Sequence, residues 1–198
     1  MLDRFLRGVK DRVLTSTLVR AVLWLHPNAI TAISVVPGAA AAVLAAQQRW
    51  GLAIALFATN RVIDGLDGVV ARMTGKQSDL GGYLDIMVDF VVYAALPIGI
   101  WVGAGHPDAW ATVALLASFY INAASWMYLS ALLEKRGRSD RSVTSVAMPR
   151  GIIEGTETIA FFVAFMALPQ FSYRLFIAMA GLTLLGATLR LLWAIRKL

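Results

Sequence analysis

Six apolar segments, near residues 28–47, 51–72, 82–104, 109–133, 151–168 and 173–194, leave this chain few ways to fold. Each approaches the roughly 20 helical residues needed to cross a hydrocarbon core of about 30 Å. In lipid a spanning segment must satisfy its own backbone N–H and C=O groups, so runs of this length are read as helices. The expected fold is an all-α membrane protein with six transmembrane helices. Composition agrees, because 59% of the residues are hydrophobic and only 15% are charged, which excludes an ordinary soluble domain. Pro37 is expected to kink the first span by removing a backbone donor.

Ahead of the spans, the pattern "MLDRFLRGVKDRV" sets Leu2, Phe5, Leu6, Val9 and Val13 within one helical arc, with Arg4, Arg7, Lys10 and the acids mostly opposite. That predicts an amphipathic helix lying in the membrane interface, the alternative being a solvated helix docked on the protein. Residues 1–26 are read as this juxtamembrane segment and 27–198 as one six-helix domain. No short apolar core with a small-residue cleavage site opens the chain, so no cleavable signal peptide is expected.

The charge pattern predicts orientation. Six spans place both termini on one side, and all but Arg49 and Arg174 of the 18 Lys and Arg then fall on that side. By the positive-inside rule it is the cytoplasmic side of the cell (inner) membrane. Trp50, Trp101 and Trp110 near one boundary and Trp24 and Trp193 near the other read as interfacial anchors. The net charge of +6 is accounted for by these loops and by contacts with anionic membrane lipids, without nucleic acid. With no cysteine, thiolate metal sites and disulfides are excluded, so any metal is held by oxygen or imidazole.

Against this background "VIDGLDGVVARMTGKQSDLGGYLDIMVDF", residues 62–90, is anomalous. Asp64 and Asp67 are three apart on the second span, and Asp85 and Asp89 four apart on the third, so each pair projects from one helical face. The turn between these spans brings both pairs to the cytoplasmic boundary. Four unpaired carboxylates at the bilayer centre would cost about 10 kcal/mol on insertion scales, less near the interface. Arg61 and Arg72 are the only nearby counter-ions in sequence, and two cations do not neutralise four anions. One or two divalent cations complete the balance. All-oxygen sites suit Mg²⁺, Mn²⁺ or Ca²⁺, and Mg²⁺ typically shares its carboxylates with substrate phosphates, which implies a phosphorylated substrate.

The small residues on the same faces fit that reading. Gly68 and Ala71 accompany Asp64 and Asp67, and Gly81 lies one turn before Asp85, where bare backbone allows close approach of a ligand. Tight helix packing is the competing explanation. Arg72 is placed to clamp a phosphate, or to anchor the helix end.

Taken together, Asp64-x-x-Asp67-Gly68-x-x-Ala71-Arg72, eight residues, Gly81-x-x-x-Asp85-x-x-x-Asp89 resembles the complete signature of the CDP-alcohol phosphotransferase (CDP-alcohol phosphatidyltransferase) family. The resemblance implies a six-helix enzyme, usually a homodimer, in which an acceptor hydroxyl displaces CMP from a CDP-linked lipid such as CDP-diacylglycerol. It implies that Asp64, Asp67 and Asp85 hold Mg²⁺ or Mn²⁺, two ions in all, and that Asp89 either joins them or acts as the base on the acceptor. Asp64, Gly68, Ala71, Arg72 and Gly81 would receive the cytidine and diphosphate end. Pro27, Asn28 and Thr31 match the "PN-x-x-T" that opens the first span in such proteins, adding Asn28 and Thr31 to the donor site.

The acceptor is left open by the sequence. "PRGIIEGTETI" sets Glu154 and Glu157 on one face at the start of the fifth span, where acids serve helix-start electrostatics or line an acceptor cavity. Its "EGTET" run is similar to that of poorly characterised bacterial inner-membrane members. Two acids favour an amine-bearing or polyhydroxyl acceptor, whereas Arg138, Arg141 and Arg150 favour one with a phosphate. Lys76 and Ser78, between the motif halves, are candidate nucleotide contacts; Asp79 is expected to be solvated, and His26 and His106 to be loop or interface residues. A cation or proton-coupled transporter predicts acids near the midplane of two repeated halves, which are absent here. An Mg²⁺-dependent membrane prenyltransferase predicts two separated acidic motifs instead of one compound motif.

Overall fold

The structure is a computed structural model that describes residues 18–136 and 151–198. The predicted amphipathic helix over residues 1–13 and the loop arginines Arg138, Arg141 and Arg150 lie outside the described residues. The described chain runs α1 (Leu18–Val22), α2 (Pro27–Ala46), α3 (Trp50–Thr74), α4 (Asp79–Ala104), α5 (Trp110–Lys135), α6 (Gly155–Ala167), a 3₁₀ turn (Pro169–Phe171) and α7 (Ser172–Lys197), with no strand among the described residues.

Helices therefore occupy all six predicted segments. Four stretches, Pro27–Ala46, Asp79–Ala104, Trp110–Lys135 and Pro169–Lys197, are long and apolar enough by length and composition to cross a membrane. The 25-residue α3 is also long enough, at about 1.5 Å per residue, but carries the acidic motif and two arginines. The 13-residue α6 is shorter than the predicted 151–168 segment because it begins only at Gly155. The Glu157 carboxylate accepts the N–H of Glu154 at 3.2 Å, and the Glu154 carbonyl accepts the N–H of Thr158 at 2.9 Å. The Glu157 side chain thus reaches back to the N–H just ahead of the helix, one half of a capping box.

The chain divides into two compact units. The first takes the chain up to His106 together with Phe162–Gln170. Within it α2 packs on both α3 and α4. The α2–α4 contact is close: a Cβ on Gly99 would lie 2.2 Å from the Ala42 carbonyl oxygen, and one on Gly103 2.0 Å from that of Ala45. Small residues at spacing four allow this approach where lipid offers no hydrophobic driving force between helices. Val19, Ile30, Leu66, Val69 and Val70 form a buried cluster across α1, α2 and α3. Phe57, Tyr93, Phe162 and Phe165 pack as aromatic neighbours, with centroids 5.3–5.6 Å apart in the pairs through Phe162.

The second unit takes Pro107–Phe161 and Phe171–Leu198, with α5 packed along α7. Arg190, buried on α7, donates to Asn122 Oδ1 at 3.1 Å and Ser125 Oγ at 3.4 Å on α5. A cavity of about 410 Å³ opens between these helices, lined by Ile121, Tyr128, Leu132, Leu184, Leu191 and Arg190 among others. Exposed apolar side chains run along the long helices, including Ile33, Val36, Val91, Val102, Ile177 and Leu189, as a lipid-facing surface requires. Trp24 and Trp110 are exposed near helix ends, consistent with interfacial anchors.

Candidate active site

Gly75 ends α3 in the left-handed conformation, φ 65°, with its N–H on the Ala71 carbonyl. Only glycine adopts this geometry without a steric penalty. Three residues later Ser78 starts α4, its hydroxyl accepting the N–H of Gly81 at 3.1 Å. Ser78 is thus a helix cap, and Asp79 is exposed in the first turn of α4. This short reversal sets the two motif halves beside each other.

The carboxylates meet as the spacing predicts. Asp64 interacts electrostatically with Asp67, Asp85 and Asp89, and Asp85 lies against the Asp64 carboxylate. Two carboxylates side by side require a shared proton or an intervening cation. Asp64 Oδ1 is buried and has no hydrogen-bond partner. An orphaned carboxylate oxygen within an all-oxygen donor set suits a hard divalent cation, so the residues fit the expected metal.

Three of the four acids are engaged by the protein, Asp64 through Oδ2, which lies 3.5 Å from Arg61 Nη1. Asp67, only 7% exposed, accepts from the Thr31 hydroxyl on α2 and from the Gly68 N–H. Asp89 Oδ1 accepts from Arg61 Nη1 at 2.7 Å. Among the described residues no three or more His, Asp or Glu side chains are arranged as they stand to hold a metal ion. Asp64 Oδ1 remains the buried carboxylate oxygen without a hydrogen-bond partner, with Asp85 beside it.

The remaining predicted residues gather on the same three helices. A Cβ on Gly81 would lie 3.1 Å from Asn28 Oδ1, which places the start of α2 beside the start of α4. A Cβ on Gly68 would lie 3.4 Å from Arg72 Nη1, so the guanidinium extends along the bare backbone of its own helix. Ala71 is half-buried next to it. Asn28, Thr31, Asp64, Asp67, Gly68, Ala71, Arg72, Gly81, Asp85 and Asp89 thus all fall in one unit on α2, α3 and α4. His26 caps α2, accepting the Asn28 N–H at 3.3 Å.

Residues outside the motif also take part. Asn60 Nδ2 donates to the Ser34 carbonyl at 2.7 Å, Arg61 Nε donates to Asn60 Oδ1 at 2.8 Å, and Arg61 Nη1 donates to Tyr93 OH at 3.0 Å. Tyr93 is one turn beyond Asp89, a spacing that was available in the sequence. Buried Arg190 had a sequence signal too, as an arginine within a span. Glu154 and Glu157, in contrast, are joined to each other as a helix start.

A model of the CDP-alcohol phosphatidyltransferase family matches residues 24–190. The chain belongs to this family and is an enzyme of that class, a membrane transferase of phospholipid synthesis. It is 32% identical to "Inner membrane protein YnjF" of Escherichia coli over 169 residues, covering 82% of this chain and 80% of that protein. It is 35% identical to a CDP-diacylglycerol–serine O-phosphatidyltransferase of Mycobacterium tuberculosis over 98 residues, 48% of this chain and 34% of that one. Among solved structures, M. tuberculosis phosphatidylinositol phosphate synthase with CDP-DAG bound superposes with a TM-score of 0.70 at 22% identity, over 90% of this chain and 92% of that one. The same synthase in complex with manganese and citrate gives 0.70 over 89% and 87%. The chain shares that fold. The transporter and prenyltransferase readings find no support in these similarities.

Proposed function

We propose that the protein transfers a phosphatidyl group from a CDP-linked lipid, CDP-diacylglycerol in the first instance, to the hydroxyl of an acceptor alcohol, releasing CMP. The observation that carries this reading is the approach of Asp64 to Asp85 across α3 and α4, with Asp64 Oδ1 left unpartnered. Support comes from the neighbouring fold, whose synthase binds CDP-DAG in one structure and manganese in another.

Asp64, Asp67 and Asp85 would hold Mg²⁺ or Mn²⁺, two ions on the donor diphosphate. When bound, such ions neutralise the diphosphate and stabilise the charge on departing CMP. Arg72 and the bare backbone at Gly68 and Gly81 receive the nucleotide end, with Asn28 and Thr31 fixing the start of α2 against it. Asp89 accepts the acceptor's hydroxyl proton as its oxygen bonds the phosphatidyl phosphorus and the bond to the CMP oxygen breaks.

The chain crosses the inner membrane six times as a homodimer, with both termini and the active site cytoplasmic, where soluble CMP departs and lipid products stay. The positive-inside distribution of the 18 Lys and Arg supports this orientation. The test is CMP release by purified protein given CDP-diacylglycerol and Mg²⁺, with serine, glycerol 3-phosphate, inositol and inositol phosphate supplied separately. Acceptor-stimulated, EDTA-sensitive release with a matching new phospholipid is expected. Absence of both turnover and metal-dependent donor binding contradicts the reading.

A further inference from the structure

Asp89 sits differently from the other three acids. Its side chain is 32% exposed, so it reaches the site, yet Oδ1 is held at 2.7 Å by Arg61, whose side chain is 9% exposed. The same Nη1 bonds Tyr93 OH at 3.0 Å and lies 3.5 Å from Asp64 Oδ2. Behind it, Nε is fixed by Asn60 Oδ1, and Asn60 in turn by the Ser34 carbonyl. The guanidinium carbon also lies over two aromatic rings, 5.6 Å from the Phe57 centroid and 5.1 Å from that of Tyr93. This buried arginine is locked on three helices and touches the site through two carboxylates, closely at Asp89 and more distantly at Asp64.

From this geometry we infer that Arg61 is a positioning residue that assigns the four aspartates their tasks. By holding Asp89 Oδ1 at 2.7 Å, against 3.5 Å to Asp64 Oδ2, it keeps Asp89 out of the metal set and presents it to the acceptor hydroxyl, leaving Asp64 through its unpartnered Oδ1, with Asp67 and Asp85, as the ligands. A guanidinium bonded to a carboxylate repels a divalent cation from the same oxygen, because both cations compete for one charge. A guanidinium fixed at Nε by Asn60 and packed against the Phe57 and Tyr93 rings presents Nη1 from one position, which orients the carboxylate as a proton acceptor requires. The inference rests on the transferase reading above, in which Asp89 is the base.

The test compares wild-type, Asp89→Asn, Arg61→Met and Arg61→Lys proteins, full length in detergent and each shown monodisperse. CMP release is measured with CDP-diacylglycerol and the best acceptor, and Mn²⁺ affinity separately from the electron paramagnetic resonance signal of the free ion. For Arg61→Met, turnover is expected to fall about 30-fold, which is about 2 kcal/mol at 1.36 kcal/mol per tenfold, while Mn²⁺ binding stays equal or tightens because Asp89 is released to the metal. A merely structural arginine would weaken both together. Arg61→Lys retains the charge without the second tether to Asn60, so turnover is expected to fall only about 3- to 10-fold, again with Mn²⁺ affinity preserved.

Wild-type turnover in Arg61→Met, or parallel loss of turnover and Mn²⁺ affinity, overturns the inference. If Arg61→Met does not fold, wild-type turnover or lost Mn²⁺ affinity in Arg61→Lys overturns it equally. Failure of the underlying reading is distinguishable: it appears as no CMP from the wild-type protein, or as full activity in Asp89→Asn.

Discussion

Thr31, one turn into α2, donates its hydroxyl proton to Asp67 on α3, and both groups are buried. A residue from outside the acidic motif thereby fixes one of its carboxylates. Replacement by valine keeps the shape and removes the donor. Thr31→Val is predicted to destabilise the protein by about 1.5–3 kcal/mol, the usual worth of a hydrogen bond to a charged group, and to reduce turnover about tenfold. Thr31→Ser is expected to retain most of both. Thermal unfolding in detergent and CMP release check the pair.

Gly81 faces the Asn28 side chain, with room for a Cβ only at 3.1 Å from Oδ1. The obstacle is the end of a side chain, so Gly81→Ala is expected to fold and to raise the donor KM several-fold by displacing Asn28. Gly81→Val should raise it further. A donor titration at saturating acceptor separates this from an effect on kcat.

Gly99 and Gly103 meet backbone, which does not yield. A methyl at Gly99 would stand 2.2 Å from the Ala42 carbonyl oxygen, so α2 and α4 must move apart. Gly99→Ala is predicted to cost at least about 1–3 kcal/mol, the typical range for overpacking, and to lower the melting temperature. Because α2 and α4 both carry site residues, turnover should fall with stability.

Glu157 accepts the Glu154 N–H at the start of α6. Glu157→Gln preserves an acceptor oxygen and is expected to leave stability and activity near wild type. Glu157→Ala should lose about 1 kcal/mol, as for a lost helix cap, with kcat reduced less than threefold. A large rise in acceptor KM in the glutamine variant would instead assign Glu157 to the acceptor.

Apolar run length located the helices because lipid leaves helical backbone as the one way to satisfy such segments. The start of α6 was less legible: Glu154 and Glu157 marked a helix start, but that the helix begins only at Gly155, and not at 151, is seen in the structure. The motif acids were legible because a three- or four-residue spacing fixes a face, and a short turn fixes which faces meet. Their separate roles were not. Arg61 was recognisable as a nearby counter-ion, but its closer contact with Asp89 on the next helix than with Asp64 on its own depends on the packing of Phe57 and Tyr93 beside it. Asn60 and Ser34 were invisible for the same reason: a tether between helices carries no spacing rule. The Asn28–Gly81 neighbourhood likewise depends on how α2 crosses α4, which Gly99 and Gly103 determine at the far end of the contact.

The most direct measurement is CMP release from CDP-diacylglycerol by the purified protein, run side by side with Asp85→Asn, each with Mg²⁺ and with excess EDTA. The account predicts turnover by the wild-type protein in Mg²⁺, none in EDTA, and a loss of at least about 10³-fold in Asp85→Asn, as expected when transition-state charge stabilisation is removed. Turnover that survives EDTA, or an Asp85→Asn protein as active as wild type, would contradict it.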